Sequence, residues 1–554
     1  MHNGQMDHRK AVSSPSPPRM PEIQEFLNAR YLQIWHNQQR EPRMATSAII
    51  RRQAADDRLL VTGAIAGLAV GAALLHFLVP INHDEAYFIA LVGRLLDGGQ
   101  IGKDVMDINM PLVWWISAVP VWFARQLGLR PDIAATAFTV AMAVLSLAGV
   151  AHLIVAAGFT RFARNLFLVF AALLVLFVPG YDFGQREHWM VLLTLPYIVA
   201  CGCRPNKLVL SAAVGAAVGV AAGLGFCIKP YFLLVPAALE IWILVRLRRP
   251  SLAIRSETVA MVIAGIVCAG LTVTYAWSYL EVDVPTALLA YWSYNSSLQE
   301  VFLSAAILLA PAFMLVVVAY LARQKDVQTS ALAQALAVAG AASLVAALIQ
   351  AKPWSYHFLP AIIFFNLSAV ALLAAEKPRA DKLTLRRIAF AILVAMAIAP
   401  TAFEAKRIFE GTSSRESQLA AVFRNNPGPN RTVFGFMPSP REVFPAVIAA
   451  GVEWATPFCC VYLIAAAARV DEAPAADQPK IKAAGLNQAE MAISAVRIKE
   501  PGVIVIATGN DMLGFGHRAF DYVAWLSAHT DFASTLAHYR ETSPIGPFRI
   551  FVRK

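Results

Sequence analysis

Charged side chains are scarce in this chain. Asp, Glu, Lys and Arg make up 15% of its 554 residues, hydrophobic residues make up 58%, and the mean hydropathy is +0.56. About a quarter charged is usual for a soluble domain, so this balance excludes an ordinary soluble enzyme. Cysteine is also sparse and shows no pattern. Cys201, Cys203, Cys227 and Cys268 lie in or beside apolar runs, and Cys459 and Cys460 are adjacent, where a disulfide is strained. No disulfide framework or zinc spacing is visible, and the six are read as small buried hydrophobes. A Walker loop and a dinucleotide fingerprint are both missing, so no nucleotide site is expected. The net charge of +11 is spread over short loops and not interleaved with aromatics, which excludes nucleic acid as a partner.

What the chain does have is a series of apolar runs of about 20 residues, the length a helix needs to cross a hydrocarbon core of about 30 Å. Spanning backbone must satisfy its own hydrogen bonds, so these runs are expected as helices. They cover 59–79, 133–157, 166–179, 189–201, 208–226, 231–245, 258–279, 302–321, 331–349, 357–375 and 388–403. A further segment, 111–127, is apolar but short, with Pro120 inside and three Trp residues. Residues 1–57 are polar and lack the apolar core of a secretory signal, so they are expected as a largely disordered cytoplasmic tail. Within them, 21–39 shows a weak amphipathic pattern.

Loop charges decide the threading. If 111–127 does not span, one face carries Arg161 and Arg164, Arg204 and Lys207, the arginines at 246, 248, 249 and 255, Arg323 and Lys325, and Lys377, Arg379, Lys382, Arg386 and Arg387. The other face carries only Arg186, Lys229 and Lys352. The positive-inside rule puts the crowded face in the cytoplasm and makes 111–127 an interfacial helix on the outer surface. The expected architecture is an α-helical polytopic membrane protein with eleven spans over 58–403, followed by a small α/β domain over 404–554 on the outer face. In that domain TVFGFM, VIVIAT and FRIFVR read as strands, and 486–497 and 517–539 as helical. The apolar stretch 443–468 carries Pro445, Glu453 and Pro457 and is expected as a soluble or membrane-leaning element.

The first outer loop then holds Asp84, Glu85 and Asp107, and the second, GYDFGQREHW, holds Asp182, Arg186, Glu187 and His188. Two short outer turns carry Lys229 and Lys352, the latter followed by His357. A carboxylate that accepts a hydroxyl proton, beside cations that hold a phosphate leaving group, is the equipment for glycosyl transfer from a polyprenyl phosphate. Asp84 is the candidate base with Glu85 beside it. Asp107, Arg186, Glu187, His188, Lys229, Lys352 and His357 are candidate substrate contacts.

Other readings of these residues stay open. Asp84 and Asp107 also suit helix caps, Glu85 a helix dipole, Arg186 to His188 a salt-bridged turn, and the lysines headgroup phosphates. His152 reads as a packing residue inside a span, and Glu240 as a partner of the arginines at 246, 248 or 249.

The succession HDEAYFIALVGRLLDGG, DVMDINMPLVWW and an outer GQREH loop resembles the bacterial GT-C glycosyltransferases related to protein O-mannosyltransferases and aminoarabinose transferases, over about residues 59–375. The resemblance implies a catalytic acid at Asp84, a second acidic position at Asp107, a juxtamembrane segment after the first loop, and an inverting reaction. It also implies an inner-membrane location, a polyprenyl-phosphate-linked sugar as donor and a glycan, lipid or protein as acceptor. Aminoarabinose-type members place Glu before Lys-Pro where this chain has Asn109, Met110 and Pro111, which leaves the acceptor class open. No cofactor is required on this reading. Some GT-C members bind a divalent metal through the first two outer loops, and the set here would be Asp84, Asp182 and Glu187.

Two rivals compete with this reading. A transporter or flippase of a lipid-linked saccharide would also be multispan and basic inside, but its binding residues belong near the midplane in repeated halves, and no repeat is seen. An assembly protein would act through its outer domain alone.

Overall fold

The computed structural model describes residues 59–206, 208–323, 327–374 and 382–554. The chain divides into two compact units, 1–64 and 65–554, and apart from the first turns of α1 everything below concerns the second. The expected tail 1–57 and Lys207, Lys325, Lys377 and Arg379 of the basic loops lie outside the described residues.

The apolar runs form helices, bounded by polar caps and prolines. In chain order they are α1 (Leu59–Leu78), α2 (His83–Leu96), α3 (Pro111–Leu127), α4 (Pro131–Ala156), α5 (Arg161–Phe177), α6 (Arg186–Cys203), α7 (Ala212–Phe226), α8 (Leu234–Leu247), α9 (Ser256–Tyr275), α10 (Val284–Ala290), α11 (Leu298–Ala322), α12 (Val327–Ile349), α13 (Ser355–Leu373) and α14 (Leu383–Glu410). Eight helices are long and apolar enough to cross a membrane: α1, α4, α8 with its leading turn, α9, α11, α12, α13 and α14. The other three runs expected as spans fall short, because α5 has 17 residues, α7 has 15, and α6 opens on Arg186, Glu187 and His188. The protein is a membrane protein on this evidence, with eight such helices among the described residues.

Two helices form the axis of the bundle. Almost every residue of α6 is buried, and so is 94% of the apolar window of α13, which packs against α5, α6, α11 and α12. The N-termini of these two buried helices carry Arg186 and Ser355, which the contacts below bring to one end of the bundle. A different device joins α7 to α9. Gly215, Gly219 and Gly223 recur every fourth residue, and a Cβ on Gly219 would stand 2.2 Å from the Glu257 carbonyl oxygen, so these backbones touch.

At the far end of α6 a charged network replaces the expected pairing of Glu240. Arg255 donates to Glu240 at 2.5 Å and, through Nε, to Glu257 at 2.9 Å, while Arg204 also pairs with Glu257 and Tyr197 donates to Glu240. Arg255 opens α9, which brings it within reach of Glu240 on α8. His152, expected to pack inside a span, lies on an exposed face of α4.

Beyond α14 the chain builds the α/β domain. α14 continues to Glu410, past the expected boundary at 404. The remaining helices are α15 (Arg415–Asn425), α16 (Val443–Ala450), α17 (Tyr462–Ala468), α18 (Gln478–Lys499), α19 (Tyr522–His529) and α20 (Phe532–Leu536). The strands are β1 (Thr432–Phe436), β2 (Glu453–Trp454), β3 (Val503–Ala507), β4 (Tyr539–Ile545) and β5 (Phe548–Arg553), in the order β2-β1-β3-β5-β4. β1 is parallel to β2 and β3, and β5 is antiparallel to β3 and β4. β1, apart from Thr432, and β3 are apolar because both of their faces are buried. The stretch 443–468 folds as α16, β2 and α17 inside this domain, and neither helix is long enough to cross a bilayer.

The domain is docked on the loop region between α1 and α3. α16 packs on α2, with the Tyr87 ring edge-on to Phe444 at 5.2 Å. The Arg94 guanidinium donates to the carbonyls of Trp454 and Thr456, and the Met106 amide donates to Pro457 O at 2.9 Å.

Candidate active site

The site begins with Asn82. Its side-chain oxygen accepts the Asp84 amide at 2.9 Å, so Asn82 caps α2 and leaves the Asp84 carboxylate free of that task. The same oxygen accepts from Gln185 Nε2 at 2.8 Å, and Asn82 Nδ2 donates to Tyr181 O at 2.9 Å. One asparagine thus joins the segment after α1 to the loop between α5 and α6. Gly184, at φ +84°, closes the second loop, and a Cβ there would run into the Glu85 carboxylate.

With the loops joined, Asp84 Oδ2 accepts from Arg186 Nη2 at 2.7 Å, in a pair whose side chains are 16% and 8% exposed. On its other side, Asp84 Oδ1 faces His83 Nε2 at 3.5 Å, and His83 Nδ1 stands 2.8 Å from the Tyr181 hydroxyl. Burial pushes the Asp84 carboxyl up, but the charges of His83, Arg186 and Lys229 and the Gln185 hydrogen bond outweigh it and hold the group below the usual carboxylate range. Its neighbour behaves in the opposite way. Burial, reinforced by Asp132, pushes Glu85 up to about 8, and one of its oxygens has no hydrogen-bond partner.

The cations gather on the Oδ2 side. Arg186 lies over the rings of Phe88 and Tyr356, and Lys229 over the Tyr356 ring at 5.5 Å. Lys229 pairs with Glu187, whose side chain is fully buried. Lys352 donates to Asn295 Oδ1 at 3.0 Å, lies 4.4 Å from the Tyr291 ring centroid, and meets no carboxylate among the described residues. Burial lowers both lysines to about 8, with Glu187 raising Lys229 against the opposing Arg186, and with Lys229 lowering Lys352 further. His357 is buried next to Tyr356, and its Nδ1 has no partner.

Three of the expected residues stand apart from this group. His188 uses both ring nitrogens on backbone, with Nδ1 accepting from the Gly184 amide at 3.2 Å and Nε2 meeting Val175 O at 2.8 Å. Glu85 packs under Gly184. Asp107 accepts from Trp114 Nε1 at 2.9 Å and from Asn109, and burial raises it to about 6. Asp182 accepts from Ser355 Oγ at 3.0 Å, and burial raises it to about 7. With Glu187 held by Lys229 and Asp84 by Arg186, the trio Asp84, Asp182 and Glu187 does not form a metal-holding set. No group of three or more His, Cys, Asp or Glu among the described residues does.

Sequence reasoning missed Asn82, His83, Tyr181 and Tyr356. Only the position of His83 and Asn82 directly before Asp84 offered a signal. Tyr181 leads to a cleft of about 980 Å³, lined by Phe77, Phe403, Arg407, Arg441 and Pro445 among others. Asp84 does not line this cleft and is linked to it through His83 and Tyr181.

No family model and no curated protein matches the chain. Among solved structures, ArnT from Cupriavidus metallidurans, crystallised bound to undecaprenyl phosphate, superposes with a TM-score of 0.56 at 12% identity, over 89% of this chain and 97% of that one. The chain has the GT-C fold. The oligosaccharyltransferase of Archaeoglobus fulgidus in complex with zinc and sulfate is a more distant match, with a TM-score of 0.41 at 12% identity over 88% of this chain and 73% of its own.

Truncating one member of a buried pair strands the other charge. Arg186→Met is expected to cost about 3–5 kcal/mol of stability, and Asp84→Asn in the same protein to restore most of it. Thermal unfolding of the two single variants and the double variant in detergent measures the coupling, and additive losses would show that the pair does not act as a unit.

Proposed function

We propose that the protein is a membrane glycosyltransferase that moves a sugar from a polyprenyl-phosphate carrier to an acceptor hydroxyl on the periplasmic face of the inner membrane. The observation that carries this reading is the buried carboxylate of Asp84, set between Arg186 on one oxygen and a His83–Tyr181 pair on the other. That ArnT, which shares the fold, was crystallised with undecaprenyl phosphate supports the same donor class here.

In this mechanism the donor phosphate lies against Arg186, Lys229 and Lys352, with His357 at the edge. Charge-assisted hydrogen bonds from these groups stabilise the phosphate as the glycosidic bond breaks. Arg186 is paired with Asp84 in the free protein, so an arriving phosphate competes for the guanidinium. Asp84 then loses one of the charges that hold it down and becomes a better base when the donor is present. The acceptor hydroxyl, approaching from the Tyr181 cleft, gives its proton to Asp84 as its oxygen attacks the anomeric carbon with inversion. His83, held by Tyr181, orients the carboxylate. Glu85 and His188 support the loops, and Asp107 fixes the start of α3.

Asp84→Asn keeps the shape but removes the base. Transfer of labelled sugar from polyprenyl phosphate by purified protein is expected to fall by about 10²–10⁴ with donor binding retained, and undiminished transfer would rule out Asp84 as the base.

The lysines give a pH signature. Burial lowers Lys352 to about 8, so its charge is present below that pH and lost as pH rises through it. Binding of a polyprenyl phosphate is therefore expected to weaken above pH 8, and Lys352→Arg, which stays charged, to carry binding to higher pH. Identical profiles for the two proteins would remove Lys352 from the phosphate site.

A further inference from the structure

Cys459 and Cys460 differ in setting from the other four cysteines. Cys201, Cys203 and Cys268 lie in helices of the bundle and Cys227 at the end of α7, whereas the adjacent pair lies in the loop between β2 and α17 that meets the first outer loop. Their sulfurs are 3.0 Å apart with both thiols free. Two unbonded sulfurs at that distance are about 1 Å from the length of a disulfide.

The surrounding loop is already fixed. Trp454 Nε1 and Thr456 Oγ1 both donate to Phe458 O at 2.8 Å, the Val461 amide donates to Met437 O at 3.0 Å, and Gln488 Nε2 donates to Cys460 O at 3.4 Å. Immediately beside the pair, Pro457 O receives the Met106 amide and the carbonyls of Trp454 and Thr456 receive Arg94, so this loop holds the first outer loop from above Asp107. Joining the sulfurs brings them about 1 Å closer and places strain on the peptide between them.

We propose that Cys459 and Cys460 are joined by a disulfide that locks the 454–461 loop against the first outer loop, and that this bond is labile to reductant. The inference rests on the outward placement of this face in an oxidising compartment, which belongs to the functional reading above. In the step, both thiols lose a proton and together give two electrons to a disulfide-bearing protein oxidant. One S–S bond forms, the oxidant's S–S bond breaks, and the oxidant leaves as a dithiol. Lability follows from adjacency. Neighbouring Cα atoms are about 3.8 Å apart across a trans peptide, shorter than the roughly 4.4–6.8 Å usual for disulfides, and strained bonds of this kind are the readily reduced ones.

The test uses the full chain purified from membranes without reductant, denatured in excess alkylating reagent, with the peptide spanning 459–460 weighed. The expected result is an unalkylated peptide two hydrogens lighter than the dithiol, which takes up two alkyl groups only after reduction. Two alkyl groups without reduction would overturn the proposal. A second arm treats the folded protein with mild reductant. The thermal midpoint of the wild type is expected to fall while that of a Cys459→Ser, Cys460→Ser variant is unchanged by reductant, and an unmoved wild type would overturn the locking role. Neither readout involves sugar transfer, so an oxidised pair in a protein without transferase activity would leave this inference standing while the functional reading fell.

Discussion

The buried ion pair between Asp84 and Arg186 sets the register that the loops around it must hold. Two charges withdrawn from water are costly, and their attraction compensates only if both are held in register and their remaining hydrogen-bonding positions are filled. Asp84 lies at the start of α2 and Arg186 at the start of α6, so the register depends on what joins the loops before them. Asn82 does this by capping α2 and bonding both Gln185 and Tyr181. The depth of α6 in the bundle then fixes Arg186 at the top of a helix that cannot shift, and Glu187 on the next residue repeats the pattern with Lys229.

Placing two neighbouring acids in contrasting surroundings separates their roles. Asp84 has cations on one side and the His83 imidazole on the other, and it is held below the usual carboxylate range. Glu85, one residue along α2, points under Gly184 and is pushed up to about 8 by burial. Environments that drive two carboxyls apart in this way distinguish a group that can accept a proton from one that holds its own. The α/β domain adds to this arrangement, because Arg94 and Met106 are bound by carbonyls of Trp454, Thr456 and Pro457, at the end of β2 and just after it. The loop bearing the carboxylate is therefore clamped between the bundle and the domain.

Much of this arrangement could be read from the chain, for identifiable reasons. Apolar runs that lack interior charge have few alternatives to helix, and the TVFGFM and VIVIAT runs became central parallel strands because both of their faces are covered. β4, YRETSPI, carries four polar or charged residues on an edge, so periodicity gave it no signal until the hairpin with β5 placed it. The first turn of α6 could not be separated from a loop by hydropathy, because Arg186, Glu187 and His188 are polar by type yet buried by context. Grouping Asp84 with Arg186 and Lys229 was possible because outer-face cations are rare. The roles of Asn82, Tyr181 and Tyr356 were not legible, since an uncharged polar or aromatic side chain declares itself only through the partner that the fold brings to it.

The most direct test of the account is a structure of the protein with polyprenyl phosphate bound. The phosphate is expected to lie within hydrogen-bonding distance of Arg186 and Lys352, with Asp84 Oδ2 released from the guanidinium and Oδ1 still on the side of His83 and the Tyr181 cleft. A phosphate held elsewhere, with the Asp84–Arg186 pair still closed, would contradict the claim that this pair is where donor and base meet.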